Sequence, residues 1–227
     1  MMRRWPGDVV VAAAVIAMSV LALSINLDQP LVRNSLVYAR AAEHVLAHDG
    51  NPLPVVADSR LSYDKPIGFS WLAAPLVAGL GTHIGLMLAS ALGVVALVAA
   101  AFQLLRTVLP GPEQTPTRAR ALLFGTLSPL VIYQTWSAHP DALEAALQLV
   151  AMTQAWRLVN EPHVAPRRRA LWLFLALEAG VLCKNYGLVM LAVLPLVFGA
   201  RAIRTWHAGG RAAILGRSRL TASRLPL

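Results

Sequence analysis

The sequence predicts an all-α, polytopic membrane helical bundle with about six transmembrane helices and juxtamembrane helices in the first outer loop. Of the 227 residues, 57% are hydrophobic and 14% charged, whereas soluble domains are roughly half apolar and a quarter charged. Apolar runs approaching the roughly 20 residues of a membrane-spanning helix recur along the chain. Arginines concentrate between these runs, so we interpret the net charge of +9 as an orientation signal and expect no nucleic-acid partner.

The predicted spans are the six apolar runs 9–27, 82–105, 121–136, 142–156, 170–183 and 187–200. The first run follows Arg3 and Arg4 and therefore resembles a secretory signal peptide, with a weak cleavage site at Ala22-Leu23-Ser24. Its apolar core exceeds the roughly 7–15 residues of such peptides, which favours an uncleaved span. The fifth run is short, and it spans only if it extends through Lys184 to Tyr186.

Positive charge predicts how these spans are oriented. Alternation from a cytoplasmic N-terminus puts four groups of arginines on the cytoplasmic side. The groups are Arg3 and Arg4; Arg106, Arg118 and Arg120; Arg167, Arg168 and Arg169; and Arg201, Arg204 and Arg211. The outer side then receives residues 28–81, residues 137–141 and the turn at Lys184. We therefore expect a multi-pass protein of the bacterial inner (plasma) membrane, with a periplasmic or extracellular active face.

The first outer loop, residues 28–81, contains two predicted helices. Asn34 is expected to cap a helix that ends before His48-Asp49-Gly50. Its apolar residues fall on one face, which indicates an amphipathic helix lying on the membrane surface. The second segment, residues 67–81, contains Pro75 and is too short to cross, so we expect an interfacial helix with Trp71 at the lipid headgroups.

Polar residues gather on the predicted outer side, and each also has a structural explanation. The set comprises Asp58, Asp64, Lys65, His139, Asp141, Glu144 and Lys184. Taken alone, Lys65 is better explained by a lysine reaching the membrane surface than by a phosphate contact. The structural explanation of Lys184 is a turn between spans. Asp141 follows Pro140 in the first turn of a helix, where an acidic residue is favoured by the helix dipole. His139 is by default a surface histidine, with a proton shuttle as the alternative.

Glu144 favours a functional interpretation, because a carboxylate inside a membrane helix usually faces a cavity or a partner. Gln148 follows it on the same helical face. Glu178 is a candidate intramembrane partner for Lys184. Lysines and carboxylates on one side of a membrane suit glycosyl transfer from a lipid phosphate. Cations hold the leaving phosphate, and a carboxylate deprotonates the attacking hydroxyl.

Four segments in order resemble the GT-C-type membrane glycosyltransferases, which include the dolichyl-phosphate-mannose protein mannosyltransferases and the lipid A aminoarabinose transferase. The segments are NSLVYARAAEHVL, DKPIGFSWL, HPDALEAAL and CKNYGLVML. The resemblance covers about residues 9–200 and corresponds to the N-terminal portion of that family. It implies a GT-C-like transmembrane module over residues 1–200. It also implies a polyprenyl-phosphate-linked sugar as donor, a lipid, glycan or protein acceptor, and inversion at the anomeric carbon.

The resemblance implies that Lys65 and Lys184 bind the lipid phosphate and that Asp141 is an active-site carboxylate. The supporting residues would be Asn34, Tyr38, Asp64, His139 and Glu144. The family's catalytic acid lies four residues before the tyrosine, where this chain has an amide, Asn34.

An amide cannot act as a base, so either Asp58 or Asp28 takes that role, with Asp58 preferred, or the chain is inactive. A divalent metal near Asp58 and Asp141 stays open, but no ligand spacing supports one and no metal ligand is assigned.

Two other functions remain alternatives, namely a transporter or flippase subunit and a non-catalytic protein that binds lipid phosphate. Residues 201–227 form a predicted basic cytoplasmic tail, and we expect the chain to be a truncated family member. Cys183 is the only cysteine, so no intramolecular disulfide forms, and we predict that it is a core residue.

Overall fold

The computed structural model describes residues 7–54 except 32, residues 66–184 except 127, 135, 136 and 162, and scattered positions between 192 and 207. This part of the chain is all-helical and contains no strand, as predicted. Its main helices are α1 (Gly7–Ile25), α2 (Arg33–Ala47), α3 (Gly68–Leu80), α4 (Thr82–Val108), α5 (Thr115–Thr126), α6 (Pro129–Gln134), α7 (Asp141–Asn160) and α8 (Pro166–Cys183).

Two of these helices, α1 and α4, are long and apolar enough to cross a membrane. Both match predicted spans closely, because their apolar sequences are uninterrupted. With 27 residues, α4 is about 40 Å long, roughly 10 Å more than a bilayer core requires. The other described helices are shorter or carry more polar residues. The six-span bundle therefore stays a prediction, and its last span, 187–200, falls largely outside the described residues.

The third predicted span, 121–136, is not one helix. The segment is divided between α5 and α6, and a new helical hydrogen bond starts where the Ile132 N–H donates to the Ser128 carbonyl at 3.1 Å. Pro129 explains the break, since proline lacks an N–H and disfavours helical geometry at the residue before it. The prediction of a continuous span was therefore wrong.

The centre of the bundle is α4, which packs against α1, α3 and α7. On its α7 side, the backbone of Leu143 lies close to Gly93. The helices α7 and α8 form an antiparallel pair whose core contains Ala151, Leu158 and Leu173. This pairing puts the start of α7 next to the end of α8.

The helices α2 and α3 form a platform around the first turns of α4. Gly81 separates α3 from α4 with a φ of 80°, which glycine adopts readily. The two helices then approach so closely that a Cβ on Gly85 would lie 2.6 Å from the Val77 backbone. Tyr38 of α2 and Phe69 of α3 pack edge to face, with ring centroids 5.4 Å apart.

Two predictions about α2 need correction. Asn34 is an exposed residue inside the helix and does not cap it, because α2 begins at Arg33. The apolar face predicted to lie on the membrane is instead buried against α3, where Ala41 and Val45 meet Ala74. The predicted stop is confirmed, since α2 ends at Ala47 and the Gly50 N–H caps it by donating to the Val45 carbonyl.

The segment 67–81, predicted to be interfacial, forms a single helix, α3, which confirms the predicted helix. Its 13 residues span only about 20 Å, which is too short to cross a bilayer. Trp71 is half exposed, and its indole N–H donates to the Gly50 carbonyl at 3.1 Å. Gly68, the first residue of α3, lies against the Leu182 carbonyl of α8, where a Cβ would come within 2.5 Å.

A buried ion pair joins elements at the end of the bundle opposite the platform formed by α2 and α3. The carboxylate of Asp8, at the start of α1, is fully buried and accepts hydrogen bonds from Arg118 at 2.9 Å and Arg106 at 3.3 Å. Arg118 also donates to the carbonyls of Leu109 and Gly111, which follow α4. One arginine thus joins α1 to the loop between α4 and α5.

Candidate functional site

The candidate site lies where α7 begins and α8 ends. Asp141 is the first residue of α7, and Lys184 directly follows α8. Because the two helices are antiparallel, the Lys184 ammonium reaches Asp141 and donates to its Oδ1 atom. The other carboxylate oxygen, Oδ2, accepts from the Gln134 side-chain amide at 3.2 Å. The structure therefore brings together two of the predicted site residues and fixes the carboxylate on both sides.

The predicted partner of Lys184 was wrong. Glu178 is exposed on the surface of α8, whereas Lys184 pairs with Asp141. Glu178 precedes Lys184 by less than two turns of α8, but the helix ends at Cys183 and the chain becomes extended at Lys184. This change of direction turns the lysine towards α7.

A second carboxylate, Glu144, lies one turn along α7 from Asp141. Its residue is only 6% exposed, and its Oε1 atom accepts a hydrogen bond from Gln148 at 3.0 Å. The charges of Lys184 and Asp141 both act on it. The predicted shared face of Glu144 and Gln148 is thus confirmed, and the site contains two carboxylates close to one ammonium.

His139 and Tyr38 complete the surroundings of the pair. The Nδ1 atom of His139 is 4.0 Å from Asp141 Oδ2, which is longer than a hydrogen bond. The imidazole ring is largely buried and meets the Tyr38 ring edge to face at 6.2 Å. The default of a surface histidine was therefore wrong, because the platform helix α2 covers it.

Serine hydroxyls hold the segment between α6 and α7 in place. Ser90 of α4 donates to the carbonyls of Gln134 and His139 and accepts from the His139 N–H. Ser35 of α2 donates to the Ser137 carbonyl. The sequence reasoning missed Ser90 and Gln134. The available signal was an isolated polar residue within an apolar run.

The remaining predicted site residues do not join this cluster in the part of the chain described. Asp58, Asp64 and Lys65 lie outside the described residues. Asp28 is exposed in the turn after α1, and no recorded contact links it to Asp141 among the described residues. The preceding carbonyl, that of Leu27, bonds to the His83 imidazole at 2.7 Å.

A metal site receives no support from the described residues. They contain no group of three or more histidine, cysteine, aspartate or glutamate side chains placed to hold an ion. The arrangement they do contain is an ion pair with a neighbouring buried carboxylate. Its chemistry is proton acceptance and the binding of an anion.

No protein-family model matches this chain, and no curated protein or solved structure is significantly similar to it. The residues and geometry of the site are therefore what indicates the function of this chain.

Proposed function

We propose that this protein is a membrane glycosyltransferase of the GT-C kind. It would transfer a sugar from a polyprenyl-phosphate carrier to a lipid, glycan or protein hydroxyl at the outer face of the bacterial inner membrane. The observation that carries the proposal is the contact between Lys184 and Asp141 at one end of the helices, with Glu144 one turn deeper. This arrangement provides a cation for a leaving phosphate and a carboxylate for an incoming hydroxyl.

The chemistry is an inverting displacement. The acceptor oxygen forms a bond to the anomeric carbon, while the bond from that carbon to the phosphate oxygen breaks and the phosphate leaves with the electron pair. The hydroxyl proton passes to the carboxylate of Asp141. Lys184 neutralises the charge that develops on the phosphate, which is the larger electrostatic contribution in such reactions.

The ion pair between Lys184 and Asp141 also suggests the order in which these two side chains act when the donor binds. Before the donor binds, the Lys184 ammonium neutralises Asp141. The donor phosphate competes for that ammonium, and Asp141 is then released to accept a proton. Gln134 continues to hold the carboxylate through its amide, so the base keeps its position while its cation moves to the phosphate.

An apolar groove beside the site supports a lipid-linked donor. Its volume is about 200 Å³, and α3, α4 and α7 form its walls. Leu143, two residues after Asp141, lines it together with Phe69 and Leu92. A polyprenyl tail in this groove would hold its phosphate near the start of α7. In the sequence, Lys65 lies three residues before Gly68. Gly68 in turn contacts Leu182 of α8, which lies two residues before Lys184.

A second candidate is a lipid-phosphate-binding protein without turnover. The observation that favours it is Asn34, an exposed amide where the resembling family has its catalytic acid. In such a protein, Asp141 would form its ion pair with Lys184 but would accept no proton from an acceptor hydroxyl. A transporter or flippase has less support, because Asp141, Lys184 and Glu144 cluster at one end of the described helices.

The test uses the detergent-purified chain with a panel of undecaprenyl-phosphate sugars and measures release of undecaprenyl phosphate in the presence of acceptor. Asp141→Asn should lower the rate by about 10²–10⁴, the usual contribution of a general base. Lys184→Ala should lower the rate by a similar factor. Glu178→Gln is the matched control, because it alters an exposed carboxylate of α8 and should leave the rate unchanged.

Binding of undecaprenyl phosphate separates the two candidates. Binding that is lost in Lys184→Ala, without turnover in the wild type, would favour the non-catalytic protein. Both candidates would be contradicted if the wild-type chain neither bound undecaprenyl phosphate nor released it from the sugar donors.

A further inference from the structure

Two adjoining cavities lie at the opposite end of the helices from Asp141. Their volumes are about 570 and 490 Å³, and both are lined by Gln103 of α4, Arg157 of α7 and Arg169 of α8. Arg157 follows Asp141 by 16 residues of helix, which corresponds to about 24 Å along the helix axis. We refer to the two together as the basic cavity, and it is spatially separate from the proposed glycosyl-transfer site.

Positive charge dominates the walls of the basic cavity. Arg106, Arg157, Arg168 and Arg169 line it, whereas the only carboxylate among its described lining residues is Glu161. Arg169 already engages Glu161 in a contact of 2.6 Å, and Arg106 bonds to Asp8, which lies outside the lining, at 3.3 Å. Arg157 donates to a neutral acceptor, the Thr107 hydroxyl, at 3.0 Å. The cavity therefore holds an excess of guanidinium groups over carboxylates.

The first turn of α8 adds to this positive potential. Three arginines, Arg167 to Arg169, stand at the N-terminal end of the helix, and no acidic residue accompanies them in that turn. The helix dipole makes this end positive, so cations there are electrostatically unfavourable without an anion. Ala165, at the N-cap, supplies no side-chain hydrogen bond to the exposed N–H groups. The cavity, its arginines and the N-terminus of α8 thus together favour the binding of an anion.

The chemistry of the walls selects a phosphate group. Guanidinium groups form paired hydrogen bonds to phosphate oxygens, and a cavity with several of them binds phosphate more specifically than a lysine patch. Aromatic residues lie alongside, with Arg106 stacked 4.4 Å over the Phe102 ring and Trp172 half exposed at the cavity edge. A basic pocket between helices with an aromatic border is typical of sites for anionic lipid headgroups.

We propose that the basic cavity binds a phosphate group, supplied either by the headgroup of an anionic phospholipid or by a soluble phosphate. The inference does not rest on sugar transfer, because it concerns other residues at the other end of α7 and α8. Arg157 would hold the phosphate at the centre of the cavity, and Arg168 would hold it at the exposed rim.

The test measures the affinity of the purified full-length chain for fluorescent phosphatidylglycerol in phosphatidylcholine nanodiscs. The double variant Arg157→Gln/Arg168→Gln should bind about tenfold more weakly or worse, since each guanidinium removed takes charge-assisted hydrogen bonds with it. The matched control is Arg40→Gln/Arg120→Gln. It removes the same charge from exposed positions that do not line the cavity, and it should bind as the wild type does.

Inorganic phosphate distinguishes the two sources. Competition by millimolar phosphate would assign the site to a soluble phosphate, and its absence would assign the site to a lipid headgroup. Equal weakening in the double variant and the control would overturn the proposal, as would a wild type that shows neither a preference for phosphatidylglycerol nor measurable binding of inorganic phosphate. Should the double variant not fold, Arg168→Gln alone should weaken binding about threefold, and an unchanged affinity would likewise overturn it.

Discussion

At the scale of single residues, the molecule depends on one buried acid that the sequence reasoning did not weigh. Asp8 directly precedes the first predicted span, 9–27, and was not among the predicted site residues. In the structure it is fully buried between Arg118 and Arg106. A buried charge is tolerated only when it is paired and hydrogen-bonded. The arginines used to predict orientation therefore also have a structural role.

Replacing this acid should destabilise the protein. Asp8→Asn leaves the buried guanidinium of Arg118 without its counter-charge, which costs about 3 kcal/mol in comparable cases. In a chain of this size that corresponds to a fall in Tm of roughly 6–12 °C. The measurement is thermal unfolding of the purified protein in detergent. Asp28→Asn, at an exposed turn, is the control, and an equal Tm for both variants would contradict the structural role of Asp8.

The residues of the candidate site were predictable in part. Asp141 and Lys184 were expected on one side of the membrane, because both adjoin ends of apolar runs. Their direct pairing was not, since the two residues are 43 positions apart and Glu178 is much nearer in sequence. Which residues meet across two helices depends on how the helices pack, and a sequence pattern does not contain that information.

At the scale of elements, the close approach of α3 and α4 distinguishes the platform from two independent surface helices. The hairpin turns at Gly81, and Gly85 then allows the backbone of Val77 to approach within contact distance. This approach buries Phe69 and Met87 in one cluster with Tyr38. A glycine in a helix is intrinsically unfavourable, so its presence here is explained by packing.

Two glycine substitutions should therefore change stability in opposite directions. Gly85→Ala places a Cβ 2.6 Å from the Val77 backbone, which must move, so we expect a lower Tm. Gly79→Ala, on α3, meets nothing within 4 Å, and it should raise stability by about 0.5–1 kcal/mol, because alanine favours helix. Thermal unfolding of both variants provides the comparison. A Gly85→Ala protein as stable as Gly79→Ala would show that the two helices are not in close contact.

The helices themselves were more predictable than their interruptions. The run 82–105 became α4, Thr82–Val108, because its apolar sequence is continuous and a glycine precedes it. The continuous span predicted over 121–136 was wrong, because its apolar content was given more weight than Pro129. The amphipathic pattern of α2 was correctly recognised, but the same pattern suits burial against a protein surface and burial in a membrane. Only the position of α3 distinguishes these two environments.

At the scale of the whole molecule, the contacts define two chemically different ends. One end contains the Asp141–Lys184 pair, and the other contains Asp8 with its arginines and the basic cavity. The orientation in which the arginine-rich end is cytoplasmic was predicted from these same arginines and stays a prediction. The proposed glycosyl-transfer site and the proposed phosphate site would then face opposite sides of the membrane.

Labelling of single cysteines tests this orientation. In a Cys183→Ala background, Gln29→Cys and Glu113→Cys introduce thiols at exposed positions near the two ends of the helices. A membrane-impermeant maleimide should label Gln29→Cys in intact spheroplasts. It should label Glu113→Cys only after permeabilisation. The wild-type protein, with Cys183 buried, serves as the unlabelled control, and labelling of both variants from the same side would contradict the prediction.

The anchoring of α1 has a consequence for the order in which the protein is made. Arg106 and Arg118 follow Asp8 by 98 and 110 residues. A ribosome adds roughly 5–20 residues per second, so Arg118 is synthesised about 6–20 s after its partner. Throughout that interval the Asp8 carboxylate lacks both of its guanidinium partners, so α1 cannot yet be joined to the loop between α4 and α5. The helix α1 is thus fastened through Asp8 only after two much later segments of the chain have been synthesised.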